Sequence, residues 1–560
     1  MSTDEREPHG TAAHIDRRRF LQSVGAMGAV GVFGGRSSRV PDEFLVPRSF
    51  QGPGTGQSSF VLHEMSVSAL QRAYAEKRYS TEEVVDLYLK RIDQVDRAGP
   101  MLRAVIETNP DAHAIARELD KERAAGRIRG PLHGVPILLK DVIDTADRMH
   151  TTAGSLALLG SFPRRDAFIV ERLRAAGAVI LGKTNMSEWS NCRSTNGTSG
   201  WSARGGLTRN PYVLDRTAGG SSSGTGAAVS ANLTMLGIGA ETDGSIEYPA
   251  SANGLVAVKP TVGLCSRSGV IPISFSQDTP GPFARTVHDA ALLLGALTGV
   301  DGRDPATDAS QRRSMTDYVS TLDAGALKGA RIGVLRVPLD EMTSVAPAFA
   351  TALEAIKSAG ATLVEDLSLP PLDELRRAEV LVLLCEFKDA IREYLGTRGP
   401  EERHRSLADL IRFNNENAEE ELRWFGQEWF EAAEVTTGMA TPDYHRALAM
   451  CRQFSRTNGI DKTIADHQLD AIVSMAAGPA FSSDLLNGDH AMLTGSSYIA
   501  VAGYPRVTVP AALVSGLPLG ISFAGLAWTE ARLLSLAYAF EQATHARVAP
   551  RFFPTANFDR

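Results

Sequence analysis

Residues 218–229 read A-G-G-S-S-S-G-T-G-A-A-V. A run of such small residues lets another group come close to the backbone, and the fold turns on which group that is. A nucleotide phosphate is the first candidate. A P-loop needs G-x4-G-K-[ST]. Gly219 and Gly224 have the spacing, but Thr225 stands where the phosphate-holding lysine must be. A dinucleotide loop needs G-x-G-x-x-G after a strand. Here Val229 replaces the third glycine, and no strand pattern leads cleanly into Gly224 and Gly226. Both nucleotide readings fail.

A reacting carbonyl is the second candidate. A second loop, G-A-E-T-D-G-S-I-E-Y-P at 239–249, follows a strand-like L-G-I-G. Ser245 comes directly after Gly244. A serine after such a turn presents its hydroxyl while nearby backbone N–H groups converge on one point, as an oxyanion requires. The G-x-S-x-G pattern of many serine hydrolases is absent. Without a histidine triad, another group must take the serine's proton, and a lysine serves only if it is neutral. Its free pKa of about 10.4 must then fall towards neutrality, at a cost of roughly 4 kcal/mol. Burial among apolar and uncharged polar groups achieves that. Lys140 ends the apolar run L-H-G-V-P-I-L-L-K at 132–140, so its stem enters the interior, where hydroxyls such as Ser221 can bond the amine. Taken singly, the lysine reads as a solvated strand end and the Gly-Ser run as a turn. The combination carries the signal.

Strand and helix patterns alternate around these loops, which predicts an α/β layered fold. Ser80-Thr81-Glu82-Glu83 is a capping box before Val85, Leu89 and Ile92 on one face. Asp166 is placed to cap a helix through Ala176, with Gly177 ending it before the strand A-V-I-L-G-K at 178–183. Residues 303–470 are more polar and mostly helical, and read as an insertion or cap contributing to a pocket. Strand-like R-V-T-V-P-A-A-L-V at 506–514 and a helix near 529–544 close the chain.

In combination, G-G-S-S-S-G at 219–224, G-S-I at 244–246 and V-K-P-T-V-G at 258–263 resemble the amidase signature family. So do G-V-P-I-L-L-K at 134–140, S-F-S-Q-D-T-P-G-P-F-A-R-T-V-H-D-A at 274–290 and the C-terminal A-G-Y-P-R-V-T-V-P-A. The resemblance spans residues 60–548. It implies a single large α/β/α fold with a twisted mixed sheet flanked by helices. It also implies a Ser–cisSer–Lys triad and a covalent acyl-enzyme. Ser245 is then the nucleophile, Ser221 (on a cis peptide bond after Gly220) the proton relay, and Lys140 the base. Ser222 would help to hold Lys140, and the backbone N–H groups of Thr242, Asp243, Gly244 and Ser245 would form the oxyanion hole. E-T-D-G-S-I and S-L-A-D-L-I-R-F-N-N at 406–415 resemble the peptide amidase branch, whose members remove C-terminal amides from peptides, with relatives acting on small or aryl amides.

One position departs from the family. Two residues after the nucleophile stands Glu247, where arginine is common, or valine in this branch; Tyr248 follows. The plainer reading puts Glu247 in a local hydrogen-bond network. The sharper one puts it in the pocket with Tyr248, favouring basic or amine-bearing substrates.

The rest of the chain narrows the setting. A net charge of −7 argues against a general nucleic-acid binder, which presents a basic face. The cysteines 192, 265, 385 and 451 form no CxxC pair, and the histidines no HExxH cluster, so neither a metal nor a cofactor is expected. Arg17-Arg18-Arg19-Phe20-Leu21, followed by a short apolar stretch, reads within residues 1–40 as a twin-arginine export signal and the start of a linker. It is too short to span a bilayer as a mature helix. The expectation from sequence is an exported enzyme, periplasmic or extracellular, monomeric or homodimeric. Its partner is a small-molecule or peptide amide, with no stable membrane insertion. Three alternatives stay open: acyl transfer to an amine, a silent amidase-like binding protein, and an amidotransferase subunit.

Overall fold

The computed structural model describes residues 60–336, 342–490 and 495–558. The twin-arginine segment and the linker up to residue 59 lie outside them.

The strand patterns gather into one mixed sheet of eleven strands. In chain order these are β1 (Val105–Thr108), β2 (Pro136–Lys140), β3 (Val179–Thr184), then, after a small separate hairpin of β4 (Trp201–Ser202) and β5 (Gly206–Leu207), β6 (Leu236–Glu241), β7 (Val256–Lys259), β8 (Thr279–Ala284), β9 (Arg331–Val334), β10 (Thr362–Val364), β11 (Ala471–Met475), β12 (Arg506–Val514) and β13 (Leu517–Ala524). Across the sheet the order is β1-β3-β2-β6-β8-β7-β12-β13-β11-β9-β10. β2 lies between β3 and β6 and runs parallel to both, whereas β6 and β8 are antiparallel. β2 and β3 are buried at every residue, which a strand achieves only when both sheet faces are covered. The cover is helical. Ser223–Ser230 packs on β2 and β6, Val287–Leu297 on β7 and β8, and Glu530–Thr544 on β12 and β13.

Local signals are realised where the chain is free to follow them. Ser80 caps the helix Thr81–Arg91, accepting the Glu83 N–H at 3.1 Å while the Glu83 carboxylate accepts the Ser80 N–H at 2.7 Å. Asp166 does not cap its helix. Phe168–Ala175 starts one residue later, with Ala167 at the N-cap. Asp166 instead accepts from the Ala146 N–H at 2.7 Å and Arg174 Nε at 2.9 Å, a tertiary partnership stronger than a local one.

The segment 303–470 is not a cap throughout. β9 and β10 lie within it and extend the main sheet in parallel from β11, because the alternating R-I-G-V and T-L-V have apolar faces that the segment's average polarity conceals. Only the later helices form a separate layer, led by the long Leu372–Thr397. Leu375, Val382, Tyr444, Ile472 and Ile499 share one apolar cluster, which ties those helices to β11. The fold also continues past residue 548: the Phe552 and Phe553 N–H groups donate to the carbonyls of Pro211 and Tyr212.

Candidate active site

Lys140 is the last residue of β2, a strand flanked by two parallel neighbours and buried at every residue, and its side chain is fully buried. Its Nζ lies 2.7 Å from Ser221 Oγ and donates to the Ala240 carbonyl at 3.0 Å. Burial lowers its pKa to about 7, against the opposing charges of Asp278, Cys192 and Glu241. A lysine of this kind is substantially unprotonated at neutrality and can take a proton from a hydroxyl.

The glycine loop delivers that hydroxyl. The Gly220–Ser221 peptide bond is cis. The Ser221 carbonyl accepts the Ser187 N–H at 3.1 Å. The loop is bare because other chain segments crowd it. A Cβ on Gly220 would lie 2.5 Å from Ser187 Oγ and 2.6 Å from Ser199 Oγ, and one on Gly224 would lie 2.4 Å from the carbonyl oxygens of Ala104 and Asn185. No hydrogen bond joins Ser222 to Lys140 directly. The Ser222 hydroxyl donates to the Ala240 carbonyl at 3.2 Å, so it helps to fix an oxygen that Lys140 also uses.

The second loop carries Ser245. Gly244 has φ +79°, a conformation that disfavours any side chain. The chain then enters the helix Glu247–Ala252. The Ser222 N–H donates to the Ser245 carbonyl at 3.2 Å, which joins the two serine loops through their backbones. Among the described residues, the N–H groups of Thr242, Asp243, Gly244 and Ser245 have no hydrogen-bond acceptor. A cavity of about 200 Å³ reaches this region, with Ser221 and Thr242 in its wall beside Val142, Ile271, Phe275 and Tyr394. Tyr394 comes from the helix Leu372–Thr397, so the helical layer does shape the pocket. Ser245, 8 % exposed, is not itself among the walls.

Glu247 and Tyr248 are not pocket residues. Glu247 is buried, paired with the guanidinium of Arg506 and accepting from Ser522 Oγ at 2.7 Å. Tyr248 is buried too, its ring stacked on Phe481. The sharper reading of Glu247 therefore fails, because a cation on β12 claims its carboxylate inside the core.

Sequence reasoning missed three groups. Asp278 lines the cavity, accepting from Thr242 Oγ1 at 2.5 Å and from the Ile273 and Ser274 N–H groups. Burial raises its pKa to about 6. Glu379, in the long helix, accepts from Gln277 Nε2 at 2.9 Å, and burial together with the charge of Asp243 raises its pKa to about 8. Arg506 is the third. It lies in the A-G-Y-P-R-V-T-V-P-A stretch, but nothing along the chain marks Glu247 as its partner.

The family model described as Amidase matches residues 83–534. The chain belongs to the amidase signature family and is an amide hydrolase. An Arabidopsis thaliana protein described as a probable amidase is 43 % identical over 506 residues, covering 88 % of this chain and 93 % of that one. The solved native peptide amidase of Stenotrophomonas maltophilia is 48 % identical, covers 90 % of this chain and 100 % of its own, and superposes with a TM-score of 0.84. A glutamyl-tRNA(Gln) amidotransferase subunit of Pseudomonas aeruginosa is 34 % identical, over 88 % of this amidase and 100 % of its own length.

Proposed function

We propose that this amidase cleaves peptide C-terminal amides, or related small or aryl amides, through a Ser245–Ser221–Lys140 triad. Neutral Lys140 takes the Ser221 proton as Ser221 takes that of Ser245. Ser245 Oγ then bonds to the amide carbonyl carbon, and the N–H groups of residues 242–245 receive the negative oxygen. Lys140 returns the proton through Ser221 to the leaving nitrogen, and the C–N bond breaks. A water molecule, deprotonated along the same route, releases the acid and restores Ser245. The observation that carries this reading is the 2.7 Å contact between a fully buried Lys140 Nζ and Ser221 Oγ. The likeness to peptide amidase favours the peptide amide as substrate.

The likeness to the amidotransferase keeps a second outcome in view, in which the same acyl-serine serves a partner protein. The Arg17-Arg18-Arg19-Phe20-Leu21 segment supports export by the twin-arginine route to the periplasm or beyond. The test is ammonia and amine release from C-terminal peptide amides, anilides and short aliphatic amides, with Ser245→Ala as the blank. Turnover of peptide amides that vanishes in the variant is expected. No turnover of any amide by the isolated protein would contradict the proposal.

A further inference from the structure

The Glu247–Arg506 pair is buried, yet its contacts do not stop at the pair. Glu247 Oε2 accepts from Arg506 Nη1, and Arg506 Nη2 donates onward to the carbonyls of Gly495 at 3.3 Å and Ser496 at 3.2 Å. The next residue, Ser497, donates its hydroxyl to Asp243 Oδ2 at 2.6 Å. On the other side, the N–H groups of Ile246 and Glu247 donate to Glu241 Oε2 at 2.7 and 3.0 Å. These links make a ring that runs from Asp243 through Ser497, the 495–496 carbonyls, Arg506 and Glu247 to Glu241. The chain from Glu241 to Glu247 completes it. That chain segment bears the four uncommitted N–H groups and Ser245. Ser496 lies beside it: a Cβ on Gly244 would stand 3.6 Å from Ser496 Oγ.

We propose that Glu247 and Arg506 are positioning residues for amide hydrolysis. Their ion pair fixes the 495–497 segment against the Ser245 turn and so holds the 242–245 N–H groups where the oxyanion forms. The proposal rests on Ser245 being the nucleophile. Neither residue touches the substrate; both act through the shape of the turn. The physical ground is that oxyanion stabilisation comes from donors held in place before the charge develops. Buried ion pairs, in contrast, are often replaceable by apolar residues without loss of stability. Stability and catalysis should therefore come apart when the pair is replaced.

The test uses an amide that the parent enzyme turns over and that Ser245→Ala does not. If no amide is turned over, the triad reading fails before this one is reached. Glu247→Gln keeps the side-chain shape but removes the charge. It is expected to lower kcat by about 10- to 100-fold, with KM changed by less than about two-fold. The double replacement Glu247→Val with Arg506→Met is expected to melt close to the parent while keeping the same loss of kcat. Ser497→Ala breaks the ring at a link outside the pair and is expected to lower kcat in the same direction. Parental kcat in Glu247→Gln, or in a well-folded double variant, would overturn the proposal. If the double variant does not fold, Glu247→Gln alone decides.

Discussion

Lys140 and Lys183 stand near the ends of neighbouring parallel strands, in adjacent register, with Leu139 opposite Lys183 and Lys140 opposite Thr184. Both side chains are fully buried, and burial lowers the pKa of each. Each Nζ meets one carbonyl and one hydroxyl. For Lys140 these are the Ala240 carbonyl and Ser221; for Lys183 they are the Ile143 carbonyl at 2.6 Å and Thr151 Oγ1 at 2.7 Å. The difference lies in where the hydroxyl leads. Ser221 is a cavity wall and is joined through Ser222 to the Ser245 loop, whereas Thr151 is no wall of that cavity. Lys183 also sits among the charges of Asp141, Asp144, Asp147 and Glu107, which favour its protonated form. Burial loosens a lysine's hold on its proton, but only a partner that opens onto substrate makes it a catalyst.

Two replacements separate the lysines. Lys140→Met is expected to lower kcat by about 10²- to 10⁴-fold while the protein remains folded, since it removes the proposed general base and leaves the rest of the site in place. Steady-state kinetics with a melting curve checks it, and a variant of near-parental kcat would remove Lys140 from the mechanism. Lys183→Met is expected to act the other way round. It removes two buried hydrogen bonds, to the Ile143 carbonyl and the Thr151 hydroxyl, which keep only their 3.3 Å bond to each other, at about 1 kcal/mol per bond lost. Denaturant unfolding should show the loss, while the folded fraction keeps its turnover number. A large fall in kcat without a fall in stability would make the two lysines equivalents.

The same contrast shows what the sequence could reveal. β2, β3, β6 and β12 were legible because each is a short apolar run with a clear end, and the capping box at Ser80 because it is local. The meeting of Lys140 with Ser221 was legible because the lysine ends such a run and the serine sits in a loop stripped of side chains. Asp278, Glu379 and Arg506 were not, because what distinguishes them is burial beside residues distant along the chain. Glu247 was misplaced in its sharper reading for that reason: its partner Arg506 lies on another strand, and no spacing along the chain announces it. Asp166 was drawn off its predicted cap by Ala146 and Arg174. β9 and β10 were concealed because such short strands vanish into the polar average of 303–470.

If Lys140 works as a neutral base, the pH dependence of kcat/KM on an uncharged amide reports its titration. The pKa of Lys140 is lowered to about 7, so the amine is protonated and inactive below that value and free above it. The expected result is a rate that rises with pH through an apparent pKa near 7 and then levels off. A profile flat from about pH 6 to 8, or one that rises only near the ordinary lysine value of about 10.4, would contradict it.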